Sequence, residues 1–119
     1  MENYQILTRG FQILNQILAP YVCREIQAQY KKDWWQQGIL GVLRNEQIEG
    51  LPSGGDWSTC VDSLDIARSL ILIDLHWNNI FRLQLSKEER NWVKELITTR
   101  NKWAHKGGGD FPPDDTWRA

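Results

Sequence analysis

Two residues near the end of the chain, Arg100 and His105, carry side chains that can act together on a phosphodiester. An arginine guanidinium binds a phosphate through parallel hydrogen bonds and balances charge that develops in the transition state. A histidine moves a proton near neutral pH. Held at one concave surface, the two side chains would support phosphodiester cleavage without a metal ion or any other cofactor.

The predicted helix that carries both residues begins at a clear signal. Ser86 and Glu89 have the spacing of a capping box, and a run of glycines follows the last periodic position, so we predict a helix over about 87–105. Five positions on an ideal helix rotate Arg100 and His105 apart by about 140°. Joint action of the two residues on one chain would therefore require local unwinding of the helix next to the glycines.

A carboxylate on the preceding predicted helix is the candidate partner of this arginine. Arg100 shares a helix face with Val93 and Ile97, and a guanidinium on an apolar face needs an anion. Asp74 stands on an otherwise apolar stripe, so we predict that Asp74 orients Arg100; a bound phosphate is the other candidate anion. The alternative is a purely structural Arg100–Asp74 pair, with His105 only capping a helix.

Further elements complete an all-α domain. Apolar steps of three and four predict a first helix over about 4–32, in which Pro20 either introduces a kink or starts a second helix. A long, glycine-rich, irregular connection follows, then a helix over about 62–83. The start of another helix is predicted at 115, at the very end of the chain. We expect a single domain over 1–119 that is an N-terminal fragment of a longer protein.

The composition is that of an ordinary globular domain. The chain has 119 residues and a formal net charge of −1, so any nucleic-acid binding must come from a local basic patch. No apolar segment is long enough to span a bilayer, and the polar N-terminus does not fit a signal peptide, so we expect a cytoplasmic protein. Cys23 and Cys60 lack metal-ligand spacing and are expected to be reduced core residues.

A longer stretch of sequence around Arg100 resembles a known family. Its residues follow the pattern "ER..V.EL...RN.WAH", a hallmark of HEPN (higher eukaryotes and prokaryotes nucleotide-binding) domains of the Swt type. The downstream residues Asp115 to Ala119 resemble the "D.(Y/W)RAL" element of that subfamily, and Trp77 and Phe81 fit its "W..(V/I)F" element. The sequence departs from the toxin-type HEPN nucleases at Gly107, where those proteins have a tyrosine.

The resemblance implies an up-and-down bundle of about four or five helices, usually dimeric, and a metal-independent endoribonuclease. In that reaction the RNA 2′-hydroxyl attacks the adjacent phosphate and leaves a 2′,3′-cyclic phosphate, often at a site shared by two protomers. By position, Arg100 would stabilise the phosphate charge, His105 would act as acid or base, and Asn101 would orient them. Swt-type domains often open large prokaryotic proteins, including ATPases linked to phage defence, so linked downstream domains or a partner protein are expected.

A local excess of positive charge accompanies the motif. Residues 87–106 contain six lysines and arginines against three glutamates. Arg90, Lys102 and Lys106 are therefore candidate RNA-binding residues, because cations along a surface track a phosphate backbone. The alternative is an ordinary solvated helix face with intrahelical ion pairs.

A non-catalytic function is the second hypothesis: a helical module for dimerisation or protein docking. Seven tryptophans favour it, although most are expected to build the core. If exposed, Trp34, Trp35 and Trp117 would be interface anchors, or would stack on unpaired bases. His76 is expected to be a packed or surface residue without a role in catalysis.

Overall fold

Helices account for the ordered secondary structure of this chain. The computed structural model describes the backbone of residues 2–107 and the side chains of residues 8–102. The α-helices are α1 (Glu2–Tyr30), α2 (Asn45–Ile48), α3 (Trp57–Ser63), α4 (Ile66–Leu75) and α5 (Lys87–Gly107), with a π-helix at Trp34–Leu40. The predicted all-helical bundle is confirmed, since no strand occurs within these residues. None of the helices described is long and apolar enough to cross a membrane.

Helix α1 is continuous through Pro20. A proline inside a helix removes one backbone hydrogen bond, which here is tolerated because Ala19 and Val22 on either side are buried in the core. Pro20 therefore does not start a second helix. The helix ends at Tyr30, two residues before the predicted end at residue 32. The next residue, Lys31, takes a left-handed conformation with φ of 61°.

The long connection after α1 lies where it was expected and is anchored to the core by a π-helix. Gly38 in this π-helix lies so close to α1 that a Cβ there would collide with the side chain of Ile26. The buried ring of His76 donates from Nε2 to the Gly38 carbonyl oxygen at 2.6 Å. Further along, Trp35 Nε1 donates to the Pro52 carbonyl at 2.9 Å. Of the two positions expected for His76, packed or on the surface, the structure shows the packed one.

The single helix predicted over 62–83 is instead divided into α3, α4 and a series of turns. Asp56 caps α3 by accepting from Thr59 N, and Asp65 caps α4 by accepting from Arg68 N at 2.9 Å. Between the two helices, Leu64 has an extended backbone. Helix α4 ends at Leu75, and successive turns lead into a short 3-10 helix over Phe81–Leu83. The turns keep apolar residues at near-helical spacing, which explains the longer prediction.

Helix α4 is the central element of the bundle. Every residue from Ile66 to Ile73 except Arg68 is buried, as expected for a helix covered on all sides. On the α1 side, Ser69 donates to Asn15 Oδ1 at 2.7 Å, and the Tyr30 ring meets the His76 ring edge-on. Helices α1 and α4 therefore run in the same direction. The long connection makes this parallel arrangement possible.

Helix α5 packs against the other side of α4 and runs in the opposite direction. It begins with the predicted capping box: Glu89 N donates to Ser86 Oγ at 3.1 Å, and Ser86 N donates to Glu89 Oε1 at 2.7 Å. Val93 is buried against the core, and Leu96 and Ile97 pack beside it. The helix extends to Gly107, two residues beyond the predicted end.

Candidate functional site

Arg100 lies on the inner face of α5, in the half of the helix that packs against the beginning of α4. Only 4% of Arg100 is exposed, and the adjacent Asn101 is also buried. Burial of a guanidinium is costly unless charged or polar groups compensate. The structure thus confirms that Arg100 faces inward, as its helical spacing with Val93 predicted.

The charged groups next to Arg100 belong to the first turn of α4. Burial lowers the pKa of the Arg100 guanidinium, the Asp65 carboxylate raises this pKa, and the Arg68 charge lowers it further. Burial is the largest of the three effects, so the net direction is downward. Asp65 and Arg68 are therefore the ionic neighbours that the described structure provides for Arg100.

Arg68 ties the long connection to this region. Its Nε donates to the Gln47 carbonyl at 2.7 Å, and its Nη2 donates to the Glu49 carbonyl at 2.7 Å. Its Nη1 lies 3.6 Å from Asp65 Oδ2. Arg68 therefore connects the end of α2, through two backbone carbonyls, to Asp65, the residue that caps α4. Among the described residues, the result is a polar cluster beside Arg100 that contains two arginines and one carboxylate.

Asp74 does not belong to this cluster. Its Oδ1 lies 3.3 Å from Nε of Arg90, and the Arg90 guanidinium stacks over the Trp77 ring, 5.2 Å from the centroid. Arg90 and Arg100 are ten residues apart on α5, about 15 Å along its axis. The prediction that Asp74 orients Arg100 is therefore wrong: the antiparallel register places Asp74 opposite Arg90. Because the Arg90 guanidinium already contacts Asp74 and Trp77, it is engaged by side chains of the domain itself, which does not favour the predicted role of Arg90 in RNA binding.

Asn101 carries a buried acceptor. No residue in the described part of the chain donates a hydrogen bond to Asn101 Oδ1. A buried carbonyl oxygen without a donor costs about 1–3 kcal/mol. Such an oxygen next to an inward-facing arginine is an uncommon feature of a packed core and marks this end of α5 as a candidate site.

Several predicted site residues fall at or beyond the edge of the described side chains. The side chains of His105 and Lys106 lie outside the described residues, as do Trp117 and the helix predicted at 115. The backbone is helical through Gly107, so the local unwinding that joint action of Arg100 and His105 on one chain would require does not occur. Lys102 is exposed to solvent.

Comparison with known protein families gives a match over most of the chain. The family model for Swt1-like HEPN matches residues 9–119. The chain belongs to the Swt1-like HEPN family. No curated protein and no solved structure matches it. Membership in the HEPN family suggests an RNase or an RNA-binding type of module.

This HEPN domain has a cationic groove that the sequence patterns did not reveal. The groove has a volume of about 690 Å³ at the end of α1 and the start of the π-helix. Its lining includes three cationic side chains and no carboxylate: Arg24, Gln27, Ala28, Lys31, Lys32 and Trp34. Arg24 lies on α1, whereas Lys31 and Lys32 follow the end of that helix, where Lys31 takes a left-handed conformation.

The exposed tryptophans of the HEPN domain differ from those expected. Trp34 and Trp35 are buried and stack edge-on, with centroids 5.5 Å apart, so they are not surface anchors. Trp92 on the outer face of α5 is 61% exposed. The helical position of Trp92 was predictable from the sequence. Its exposure was not, because α5 has apolar residues on more than one face. Among the described residues, no cluster of three or more His, Cys, Asp or Glu side chains could hold a metal ion.

Proposed function

We propose that this domain is a metal-independent endoribonuclease module whose reaction uses Arg100, Asn101 and His105. The observation that carries the proposal is the buried Arg100–Asn101 pair, with an acceptor oxygen that no described residue satisfies, in a chain of the Swt1-like HEPN family. In this proposal Arg100 stabilises charge on the phosphate, and His105 transfers the proton. Asn101 orients a donor group of the site through this carbonyl oxygen.

The proposed reaction is an internal transesterification of RNA. The 2′-oxygen forms a bond to the adjacent phosphorus while the bond from phosphorus to the 5′-oxygen breaks. The 2′-hydroxyl proton passes to a base, and an acid donates a proton to the departing 5′-oxygen. The products are a 2′,3′-cyclic phosphate and a 5′-hydroxyl. The reaction needs no external nucleophile or redox partner, and DNA is excluded because it lacks the 2′-hydroxyl.

The helical backbone favours a site formed by two copies of the chain. Because α5 is helical through Gly107, Arg100 and His105 stand about 7.5 Å apart along its axis and about 140° apart around it. A single straight helix does not present both positions to one phosphate. We therefore propose a homodimer in which the residues of two protomers are combined at the reaction centre.

The cationic groove is the proposed surface for the rest of the RNA. It lies at the end of the bundle where Tyr30 meets His76, whereas Arg100 lies near Asp65 at the opposite end of α4. The length of α4 separates the two ends by about 15 Å, which a few nucleotides of single strand can span. Lys102, exposed on α5, remains a proposed contact near the reaction centre.

RNA cleavage in the presence of EDTA tests this proposal. Wild type, Arg100→Ala and His105→Ala are incubated with a mixed-sequence single-stranded RNA, and the ends of the products are identified. We expect cyclic-phosphate ends in wild type and a loss of at least about 100-fold in both variants. Arg90→Ala is the matched control, because this arginine on the same helix binds Asp74 and should leave cleavage unchanged.

Cleavage that requires a divalent metal, or that persists in both variants, would contradict the nuclease proposal. RNA binding without cleavage would instead support the coarser function, an RNA-binding module. Circular dichroism of each variant ensures that a loss of activity is not a loss of folding.

A docking or dimerisation module is the alternative function, and exposed apolar side chains favour it. Trp92 stands on α5, and Ile13 and Ile17, one turn apart on α1, are exposed on the outer side of the bundle. Large exposed aromatic residues are typical anchors of protein interfaces. An inactive domain whose self-association is abolished by Trp92→Ala would favour this alternative over the nuclease.

A further inference from the structure

We propose that Asp65, at the start of α4, is the positioning residue for the Arg100 guanidinium. As a statement about the reaction, this rests on the proposed function; as a statement about which carboxylate faces Arg100, it stands on the fold alone. It assigns to Asp65 the part that helical spacing had assigned to Asp74.

The register of the two helices carries the argument. Asp74 and Arg90 are in contact at 3.3 Å, and α4 and α5 run antiparallel from that point. Asp65 lies nine residues back along α4, about 13.5 Å, and Arg100 lies ten residues forward along α5, about 15 Å. The two residues therefore reach the same level of the bundle. The influence of Asp65 on the Arg100 charge agrees with this placement.

The Asp65 carboxylate is held in place by its own contacts. Its Oδ1 accepts a hydrogen bond from Arg68 N at 2.9 Å, and its Oδ2 lies 3.6 Å from Arg68 Nη1. The helix start itself is held by Asn15, whose Nδ2 donates to the Leu64 carbonyl at 2.8 Å. An anion fixed in this way can orient a neighbouring guanidinium, as fixed outer groups orient the ligands of a metal site.

The charge balance predicts what Asp65 does to a bound phosphate. Arg68 and Arg100 bring two positive charges to the cluster, and Asp65 supplies one negative charge. Removing that negative charge should strengthen attraction of a phosphate to the cluster while leaving the Arg100 guanidinium without its orienting partner. Binding and catalysis should then change in opposite directions.

Asp65→Asn is the informative substitution, because asparagine caps a helix as well as aspartate does but carries no charge. Asp56→Asn is the matched control: Asp56 caps α3 with the same geometry, accepting from Thr59 N at 2.8 Å, and is exposed. Asp74→Asn is the second control, since it removes a carboxylate that pairs with the other arginine on α5.

The first measurement is the arginine Nε–Hε NMR spectrum of the full chain, with signals assigned by Arg90→Lys and Arg100→Lys. We expect Asp65→Asn to shift the Arg100 Hε signal and to accelerate its exchange with water about tenfold, without moving Arg90. Asp74→Asn should do the reverse, and Asp56→Asn should move neither signal. An Arg100 signal that does not change in Asp65→Asn, or that changes in Asp74→Asn, would overturn the proposed pairing of Asp65 with Arg100.

The second measurement is steady-state RNA cleavage. Asp65→Asn should lower kcat about tenfold and lower KM about threefold, a combination that a loss of folded protein does not produce. Asp65→Glu, which retains the charge, should recover part of kcat. Unchanged kinetics in Asp65→Asn would overturn the positioning role even if the NMR pairing holds.

The two proposals fail separately. If wild type does not cleave RNA, the nuclease proposal fails, while the NMR spectra still decide whether Asp65 faces Arg100. If Asp65→Asn does not fold, Asp65→Ser takes its place, because serine also provides a capping oxygen without a charge.

Discussion

Asp74 and Arg90 join the end of α4 to the beginning of α5 through an ion pair of 3.3 Å, with the Arg90 guanidinium stacked on Trp77. This contact fixes which turn of α5 lies opposite which turn of α4. It places Asp74 about 15 Å from Arg100 along the axis of α5, at the opposite end of the contact between the two helices.

Asp74→Asn should lower the free energy of unfolding by about 1 kcal/mol, because the pair is partly exposed and solvent screens it. Urea unfolding of Asp74→Asn, Arg90→Gln and the double variant measures the coupling, which we expect to be about 0.5–1 kcal/mol. A coupling near zero would show that the contact does not stabilise the register. RNA cleavage by Asp74→Asn should remain at the wild-type level.

Trp77 and Trp92 should differ sharply in their contribution to stability. Trp77 is buried and Trp92 is 61% exposed. Trp77→Ala should therefore cost about 3–5 kcal/mol of unfolding free energy, whereas Trp92→Ala should change it by less than about 0.5 kcal/mol. Thermal and urea unfolding at micromolar concentration provide the comparison. A large loss in Trp92→Ala that depends on protein concentration would indicate that Trp92 is covered in a dimer.

Gly38→Ala and Gly10→Ala should change the free energy of unfolding in opposite directions. A Cβ at Gly38 would collide with Ile26 and press on Tyr30, so we expect a loss of about 1–3 kcal/mol. A Cβ at Gly10 meets no atom within 4 Å, and alanine favours the helix, so we expect a gain of up to about 1 kcal/mol. Equal effects in urea unfolding would mean that the π-helix does not pack on α1 as described.

Cys23 should make the domain sensitive to alkaline pH. Burial, with a smaller contribution from nearby Cys60, raises the pKa of the Cys23 thiol from 9.0 to about 12. The folded state therefore retains a proton that the unfolded state loses, and stability should fall as pH rises from about 9 to about 12. Across this pH range, the free energy of unfolding should fall less steeply in Cys23→Ala than in wild type. At pH 8, a thiol reagent should label neither buried cysteine until denaturant is added.

Charge reversal in the cationic groove should weaken RNA binding. Lys31→Glu with Lys32→Glu should raise Kd for single-stranded RNA at least about tenfold, and each lost phosphate contact should reduce the slope of log affinity against log salt by about 0.7. Fluorescence anisotropy over a salt series measures both quantities. Lys87→Glu, at an exposed lysine on α5 that does not line the groove, is the control. Equal losses in the two variants would indicate only a general charge effect.

Local signals in the sequence were sufficient for much of the fold. The capping box at Ser86 and Glu89 involves residues three apart, so the start of α5 was predictable to the residue. Inward placement of Arg100 followed from its spacing with Val93. Helix α4 was harder, because it is apolar on every side and its boundaries depend on which of several nearby polar residues acts as the cap.

The charged groups near Arg100 were not predictable, for a physical reason. Helical spacing gives the face on which Asp74 lies, but it does not give the register between two helices, which depends on contacts distant in the sequence. The cationic groove was missed for a similar reason, since it joins the end of α1 to residues beyond it, where the left-handed Lys31 ends the helical spacing. The Arg68 contacts with the α2 carbonyls likewise join residues about twenty positions apart.

The parallel course of α1 and α4 has a consequence for the order of folding. Helices α4 and α5 are joined by the short segment 76–86 and can pair early at little entropic cost, whereas α1 reaches α4 only after residues 31–65 close a long loop. We expect the folding nucleus to be the α4–α5 pair, with α1 docking after the transition state. Substitutions at the Asp74–Arg90 contact would then slow folding, and substitutions at Gly38 would mainly accelerate unfolding.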